Sequence, residues 1–228
     1  MIEDSGYGDR LSLVYAESPA NPTNDIIDLE MCREIADYFS VGSKKVHLAV
    51  DNTYMGPLWS SPLELGADIV LYSATKYIGG HSDLIAGAVL GNTEVMQRVK
   101  VLRTFLGNMV SPHTAWLLLR SLETLKVRME QQARNAVEVA KFLNDHPKVE
   151  KVYFLDDLKP GTKEFNLYKK QYSCAGAMVS FDVKGGEVLL EKDRENPIYY
   201  GWDNEFSFHK AQIKDFQASK YLVSNGEY

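Results

Sequence analysis

The order strand, helix, strand over residues 11–51 constrains this chain more than any other feature. Residues 11–16 (LSLVYA) are short and apolar and are closed by a polar, proline-containing turn over residues 17–23, so they read as a buried strand. Asp28 is then placed to cap a helix in which Leu29, Cys32, Ile35, Ala36 and Phe39 recur at helical spacing. Residues 46–50 (VHLAV) form a second apolar run that stops abruptly at Asp51. This is the sequence form of a βαβ unit, whose strands run parallel through a right-handed crossover, and it predicts an α/β fold with a mainly parallel sheet.

The remaining elements fit that class. Residues 68–72 and 84–90 look like two more strands, with the polar loop 73–83 between them. A long helical pattern runs from Pro112 to about Asn144 and carries Leu118, Leu122, Leu125 and Met129, then Val137, Ala140 and Leu143. Pro147 ends it. Residues 149–154 and 178–183 read as strands, the second bounded by Gly176 and the pair Gly185-Gly186. From residue 188 onward the chain is polar and aromatic, with no sustained period.

Composition removes several function classes. The net charge is −6, from 25 Lys+Arg against 31 Asp+Glu, and no basic block stands out, so nucleic acid is not an expected partner. No apolar run approaches the ~20 residues that a membrane-spanning helix needs, and the acidic start lacks the layout of a secretory signal. Only Cys32 and Cys174 occur, far apart, which excludes a disulfide scaffold or a Cys-rich zinc site and fits a reducing, cytoplasmic setting. His47, His113, His146 and His209 show no metal-ligand spacing, so no metal is assigned, and His81 reads as a loop hydrogen-bonding residue.

Chemistry concentrates between Glu17 and Asp83. In an open parallel sheet, ligands bind beyond the carboxyl ends of the strands. Asn21 follows the first strand, Asp51 the second, and the run from Ser73 through Thr75 to Lys76 the third. A carboxylate, an amide, two hydroxyls and an amine on one crevice suit pyridoxal phosphate. An amine in a semi-buried site, where its proton is more easily lost, can join the cofactor's aldehyde. A carboxylate keeps the pyridine nitrogen protonated, so that the ring accepts electrons from a substrate α-carbon. Hydroxyls bind phosphate oxygens. Each residue alone also has a plain reading: a solvated lysine, an aspartate in a turn, an Asn-Pro turn dipeptide.

Four ordered motifs go further: Glu17-Ser18-Pro19-Ala20-Asn21-Pro22, Asp51-Asn52-Thr53, Leu63-Glu64-Leu65-Gly66-Ala67-Asp68, and Ser73-Ala74-Thr75-Lys76-Tyr77-Ile78-Gly79-Gly80-His81-Ser82-Asp83. Together they closely resemble the Cys/Met-metabolism family of pyridoxal-phosphate enzymes, which includes cystathionine γ-synthase, cystathionine β- and γ-lyases, methionine γ-lyase and O-acetylhomoserine sulfhydrylase. The likeness continues through Ile85-Ala86-Gly87, residues 124–129 and residues 176–181, and covers roughly residues 11–186.

The resemblance implies the large domain of an aspartate-aminotransferase-like, fold type I enzyme over residues 11–125, the start of a smaller C-terminal α/β domain over 126–186, and a tail over 187–228 without family likeness. It makes Lys76 the cofactor-bearing lysine and Asp51 the pyridinium partner. Ser73 and Thr75 match phosphate-contacting hydroxyls, Asn21 an amide near the ring hydroxyl, and Thr53 a residue against the ring. The implied reaction is β/γ-elimination or γ-replacement on a sulfur amino acid or activated homoserine, in a homo-oligomer (a dimer of dimers). Family members are longer. The phosphate-capping glycine segment, the ring-stacking tyrosine and the inter-subunit arm would precede Ser12, and the family's substrate loop and carboxylate-binding arginine have no match near Arg194. The chain is therefore expected to be a fragment, or a product with a foreign tail. An inactive fragment or pseudoenzyme keeping the cofactor site, or a related aminotransferase, are the competing readings.

Overall fold

The structure, a computed structural model, describes residue 4, residues 6–184 and the backbone of three further strands at residues 186–190, 209–213 and 216–219. Arg194 and most of the expected tail lie outside the described residues.

A four-stranded sheet in the order β1-β2-β3-β4 forms the first half. Strand β1 (Leu13–Glu17) leads through helix α1 (Leu29–Tyr38) to β2 (His47–Asp51), which pairs with it in parallel; the short helix α2 (Gly56–Trp59) then leads to β3 (Ile69–Ser73), parallel to β2. The expected βαβ unit is thus present. Strand β4 (Gly87–Gly91) pairs antiparallel with β3, one antiparallel edge on a sheet that is mainly parallel as expected. The cause is the intervening loop: it folds back on itself, with Thr75 N–H donating to the Ala86 carbonyl (3.1 Å), so the chain re-enters beside the strand it has just left.

Helix α1 starts where Asp28 accepts from the Met31 N–H (3.1 Å), satisfying one of the first-turn donors that a helix leaves unpaired. Its buried Leu29 and half-buried Cys32 pack on Ala16, Leu48, Val50, Val70 and Tyr72, which alternate along β1, β2 and β3 on one face of the sheet. Burial of each such aliphatic side chain contributes roughly 1.5–3 kcal/mol.

Helix α3 (Thr93–Leu106) follows β4, capped by Asn92 and ended by Gly107 at φ +75°, a conformation that suits glycine. The helical pattern from Pro112 proves to be two helices, α4 (Pro112–Leu122) and α5 (Leu125–Asn144), because Thr124 leaves helical geometry and the Ser121 carbonyl turns to the guanidinium of Arg128 (2.9 Å). Beyond α5 lie β5 (Val149–Tyr153), α6 (Lys163–Gln171) and β6 (Ser180–Val183), with β5 antiparallel to β6. The span without a detected period contains β7 (Gly186–Leu190), β8 (His209–Ile213) and β9 (Phe216–Ser219). β9 pairs with β6, and β7 pairs with β8.

A second core joins the two halves: Met55 and Trp59 pack with Leu125, Met129, Phe154, Leu155, Tyr168 and Tyr172. The loop after β1 is held in the same junction. Asn24, itself buried, donates to the carbonyls of Tyr153 (2.9 Å) and Met178 (3.1 Å), and Gln171 bonds both the Leu29 N–H and the Ile27 carbonyl.

Candidate active site

The register of the sheet assembles most of the site. Glu17 pairs with Asp51 and Tyr15 with Ala49 across β1 and β2, while Asp51 pairs with Leu71 across β2 and β3. Side chains alternate between faces along a strand. Tyr15, Glu17, Asp51 and Ser73 therefore share the face opposite the one that α1 covers, at the carboxyl ends of three adjacent strands. Asp51 Oδ1 accepts from the Thr53 N–H (2.9 Å), and Thr53 Oγ1 accepts from the Ser73 N–H (2.8 Å). Asp51, Thr53 and Ser73 are thus one hydrogen-bonded chain across the sheet end.

Lys76 sits one turn further. Its N–H donates to the Ser73 carbonyl (3.0 Å), its own carbonyl accepts from the Gly80 N–H (2.7 Å), and the Gly79 N–H reaches the Ala74 carbonyl (2.7 Å). Ala74 and Gly79 are buried beneath the turn, and Lys76 is solvent-exposed. Thr75 Oγ1 accepts from the Ala86 N–H (3.0 Å) and donates to the Ala86 carbonyl (3.3 Å), so this hydroxyl fastens the loop to the chain entering β4. Asn21 stands in the exposed turn after β1; its N–H serves the Glu17 carboxylate.

The electrostatics favour a cation. Glu17 and Asp51 lie side by side, and among the described residues no Lys or Arg pairs with either. Burial, with the Asp51 charge adding to it against the Asn21 N–H, holds the Glu17 carboxyl above its usual range. Burial, then Asp51, raises the Tyr15 phenol, which stays protonated and donates to Asp51 Oδ2 (3.3 Å). Two neighbouring carboxylates fed only by neutral donors form an acceptor for a protonated nitrogen.

Supporting residues hold the site in place. Asn52, fully buried, donates to the carbonyls of Gly56 (2.9 Å) and Ser60 (3.4 Å) and to the Tyr72 hydroxyl (3.1 Å), fixing the backbone immediately after Asp51. His81 contacts the Gly79 carbonyl through Nδ1 (2.7 Å), the loop role expected of it. Tyr15 was read only as part of a strand; its place two residues before Glu17, on the same face, is the cue that could have found it. Among the described residues no cluster of His, Cys, Asp and Glu is arranged to hold a metal ion, and no helix is long and apolar enough to cross a membrane.

Residues 5–196 match a family described as Cys/Met metabolism PLP-dependent enzymes, wider at both ends than the span over which the motifs are recognisable. The chain is 46% identical over 176 residues to an L-methionine gamma-lyase of Porphyromonas gingivalis, covering 76% of this chain and 43% of that protein. It is 41% identical over 182 residues to a cystathionine gamma-lyase of Dictyostelium discoideum, covering 79% and 45%. In three dimensions it resembles cystathionine gamma synthase from Xanthomonas oryzae pv. oryzae, with a TM-score of 0.70 and 38% identity over 77% of this chain and 44% of that one. The chain thus spans less than half the length of these relatives. Matched over most of its own length, it belongs to the Cys/Met metabolism family of pyridoxal-phosphate-dependent enzymes.

Proposed function

We propose that this chain carries the cofactor-anchoring part of an enzyme performing γ-elimination or γ-replacement on sulfur amino acids or activated homoserine. The observation that carries the reading is the paired Glu17 and Asp51 at the end of β1 and β2, one strand from the Ser73–Lys76 turn. That donor set fits pyridoxal phosphate: carboxylates for a protonated ring nitrogen, a hydroxyl for phosphate and an amine for the aldehyde. Relatives whose names specify methionine γ-lyase and cystathionine γ-lyase support the coarser reaction class and leave the particular member open.

When bound, pyridoxal phosphate supplies an electron sink that stabilises negative charge at a substrate's α-carbon. The chain's own groups do the rest. Asp51 would hold the proton on the pyridine nitrogen, its carboxylate oriented by Tyr15 and the Thr53 N–H. Ser73 would donate its hydroxyl to a phosphate oxygen; Thr75 would do the same on releasing the Ala86 carbonyl, since its single O–H is otherwise spent on closing the loop. Thr53 would lie against the ring and Asn21 near its hydroxyl. Lys76 would hold the aldehyde and, with its amine free, would carry protons between the substrate's α-carbon, its β-carbon and the cofactor's C4′. We extend the proposal to a small amino-acid substrate, a further copy of the chain as partner, residues 11–125 and 126–186 as the two functional parts, and a cytoplasmic setting, which the two free thiols support.

The test is borohydride reduction of the chain after incubation with pyridoxal phosphate, followed by peptide mass mapping. A phosphopyridoxyl group confined to Lys76 supports the reading, and turnover assays with methionine, cystathionine and O-acetylhomoserine then separate elimination from replacement. Labelling spread evenly over surface lysines, or none, rejects it.

A further inference from the structure

The turn that presents Lys76 is gripped from outside the sheet by one side chain. Arg128, in the first turns of α5, donates from Nη1 to the Tyr77 carbonyl (2.7 Å) and from Nη2 to the carbonyls of Ile78 (3.4 Å) and Ser121 (2.9 Å), and from Nε to Thr124 Oγ1 (3.1 Å). Four of its five N–H groups are thereby used, and among the described residues no carboxylate pairs with it. A cation at this end of a helix opposes the helix dipole, so the placement does nothing for α5 itself. Two of its four partners are the neutral carbonyls of the residues that follow Lys76.

The loop is shaped to receive it. Gly80 has φ +73°, and a Cβ there would stand 1.8 Å from Arg128 Nη1, so the backbone passes against the guanidinium where no side chain fits. Next to Arg128, the fully buried Met129 would meet a Gly56 Cβ at 2.6 Å, and Tyr77 packs edge-on against Trp59 at 5.7 Å. Adjacent residues of α5 thus seat the loop that carries Lys76 and the helix α2 that follows Asp51.

We propose that Arg128 is a positioning residue for Lys76: by holding the carbonyls of Tyr77 and Ile78 while bound to the α4–α5 junction, it fixes the turn from which the lysine projects. The inference rests on the reading of Lys76 as the cofactor lysine. The planar guanidinium reaches carbonyls on two elements at once, which the single ammonium of a lysine does not reproduce.

The experiment compares the unsubstituted chain with Arg128→Ala, Arg128→Lys, Gly80→Ala and, as a surface control, Arg134→Ala. Amide hydrogen exchange is followed without cofactor, and borohydride labelling of Lys76 with pyridoxal phosphate. In Arg128→Ala the Gly79 and Gly80 amides exchange at least about tenfold faster, as loss of a charge-assisted hydrogen bond implies, while β1–β3 keep their protection. The half-saturating cofactor concentration for Lys76 labelling rises on the order of 10- to 100-fold. Arg128→Lys does not restore either quantity, and Gly80→Ala reproduces both losses with the arginine still present, which carries the test if Arg128→Ala does not fold. Unchanged exchange and labelling in Arg128→Ala, full rescue by lysine, or protection lost uniformly across the chain overturns the inference alone. Absence of a selective label in the unsubstituted chain overturns the cofactor reading and this inference with it.

Discussion

Asp51 is placed for binding at some cost to the empty fold. It stands beside Glu17 on the neighbouring strand with no cationic partner among the described residues, and like charges in register repel. Asp51→Asn keeps an acceptor for the Thr53 N–H and offers the Tyr15 oxygen a donor. The expected result is a melting temperature equal to or above that of the unsubstituted chain, together with at least about tenfold weaker pyridoxal-phosphate binding, read by thermal unfolding and absorbance titration. A large drop in melting temperature would show that the carboxylate is structural instead. The placement of Asp51 and Ser73 at strand ends, with Lys76 in the turn beyond, is legible in the sequence because strand ends are where a parallel sheet puts its ligands. Arg128 was not, because it acts on backbone carbonyls some fifty positions away, and no spacing rule records a contact made across the fold. The exposure of Lys76 and the internal bonds of Thr75 were likewise invisible, since both depend on how the loop folds against Ala86.

At the opposite end of the sheet, Asp68 ties three elements together. It accepts from Arg33 of α1 (2.8 Å), from Lys45 just before β2 (2.7 Å) and from the Leu48 N–H (2.9 Å). Burial alone would raise its carboxyl, but the bonds from Lys45, Leu48 and Arg33 outweigh it and bring it down to about 2. Because the folded value lies below the ordinary one of about 3.9, the stabilisation is fully present above pH ~4 to 5 and is lost as pH falls towards 2. Asp68→Asn should destabilise the chain by about 2–3 kcal/mol at pH 7, and the gap from the unsubstituted chain should close between pH ~4 and 2 in urea unfolding. A gap constant over that range would contradict the assignment. The motif containing Asp68 was noticed in the sequence, yet its work was not, for its partners come from three separate segments. Elements with an apolar face packed on the sheet, such as β1, α1 and β2, were readable. Helix α3 was passed over because only its Val95 is buried, so the periodicity that marks a packed helix is missing.

That same weakness at α3 matters for the molecule as a whole. Along α3 and into α4, Leu102, Phe105, Leu106, Met109, Trp116 and Leu119 are exposed, Phe105 at 84% and Leu106 at 72%. Soluble monomers rarely leave so many large apolar side chains uncovered in one stretch of chain, and a contiguous apolar surface marks a contact with another surface. Since the proposed partner is a further copy, the face should be covered by self-association. Sedimentation velocity is expected to show a concentration-dependent species larger than the 25.7 kDa chain. Phe105→Glu combined with Leu106→Glu should shift it to the single-chain mass without lowering the melting temperature, because neither side chain contributes to a buried core. The substitution should leave selective labelling of Lys76 in place, since α3 supplies no group to the site. A chain already monomeric at every concentration would remove the self-association proposal, while a doubly substituted chain that still associates would move the contact to another surface, the outer edge of β1, which no other strand pairs with among the described residues, being the next to test by Leu13→Lys.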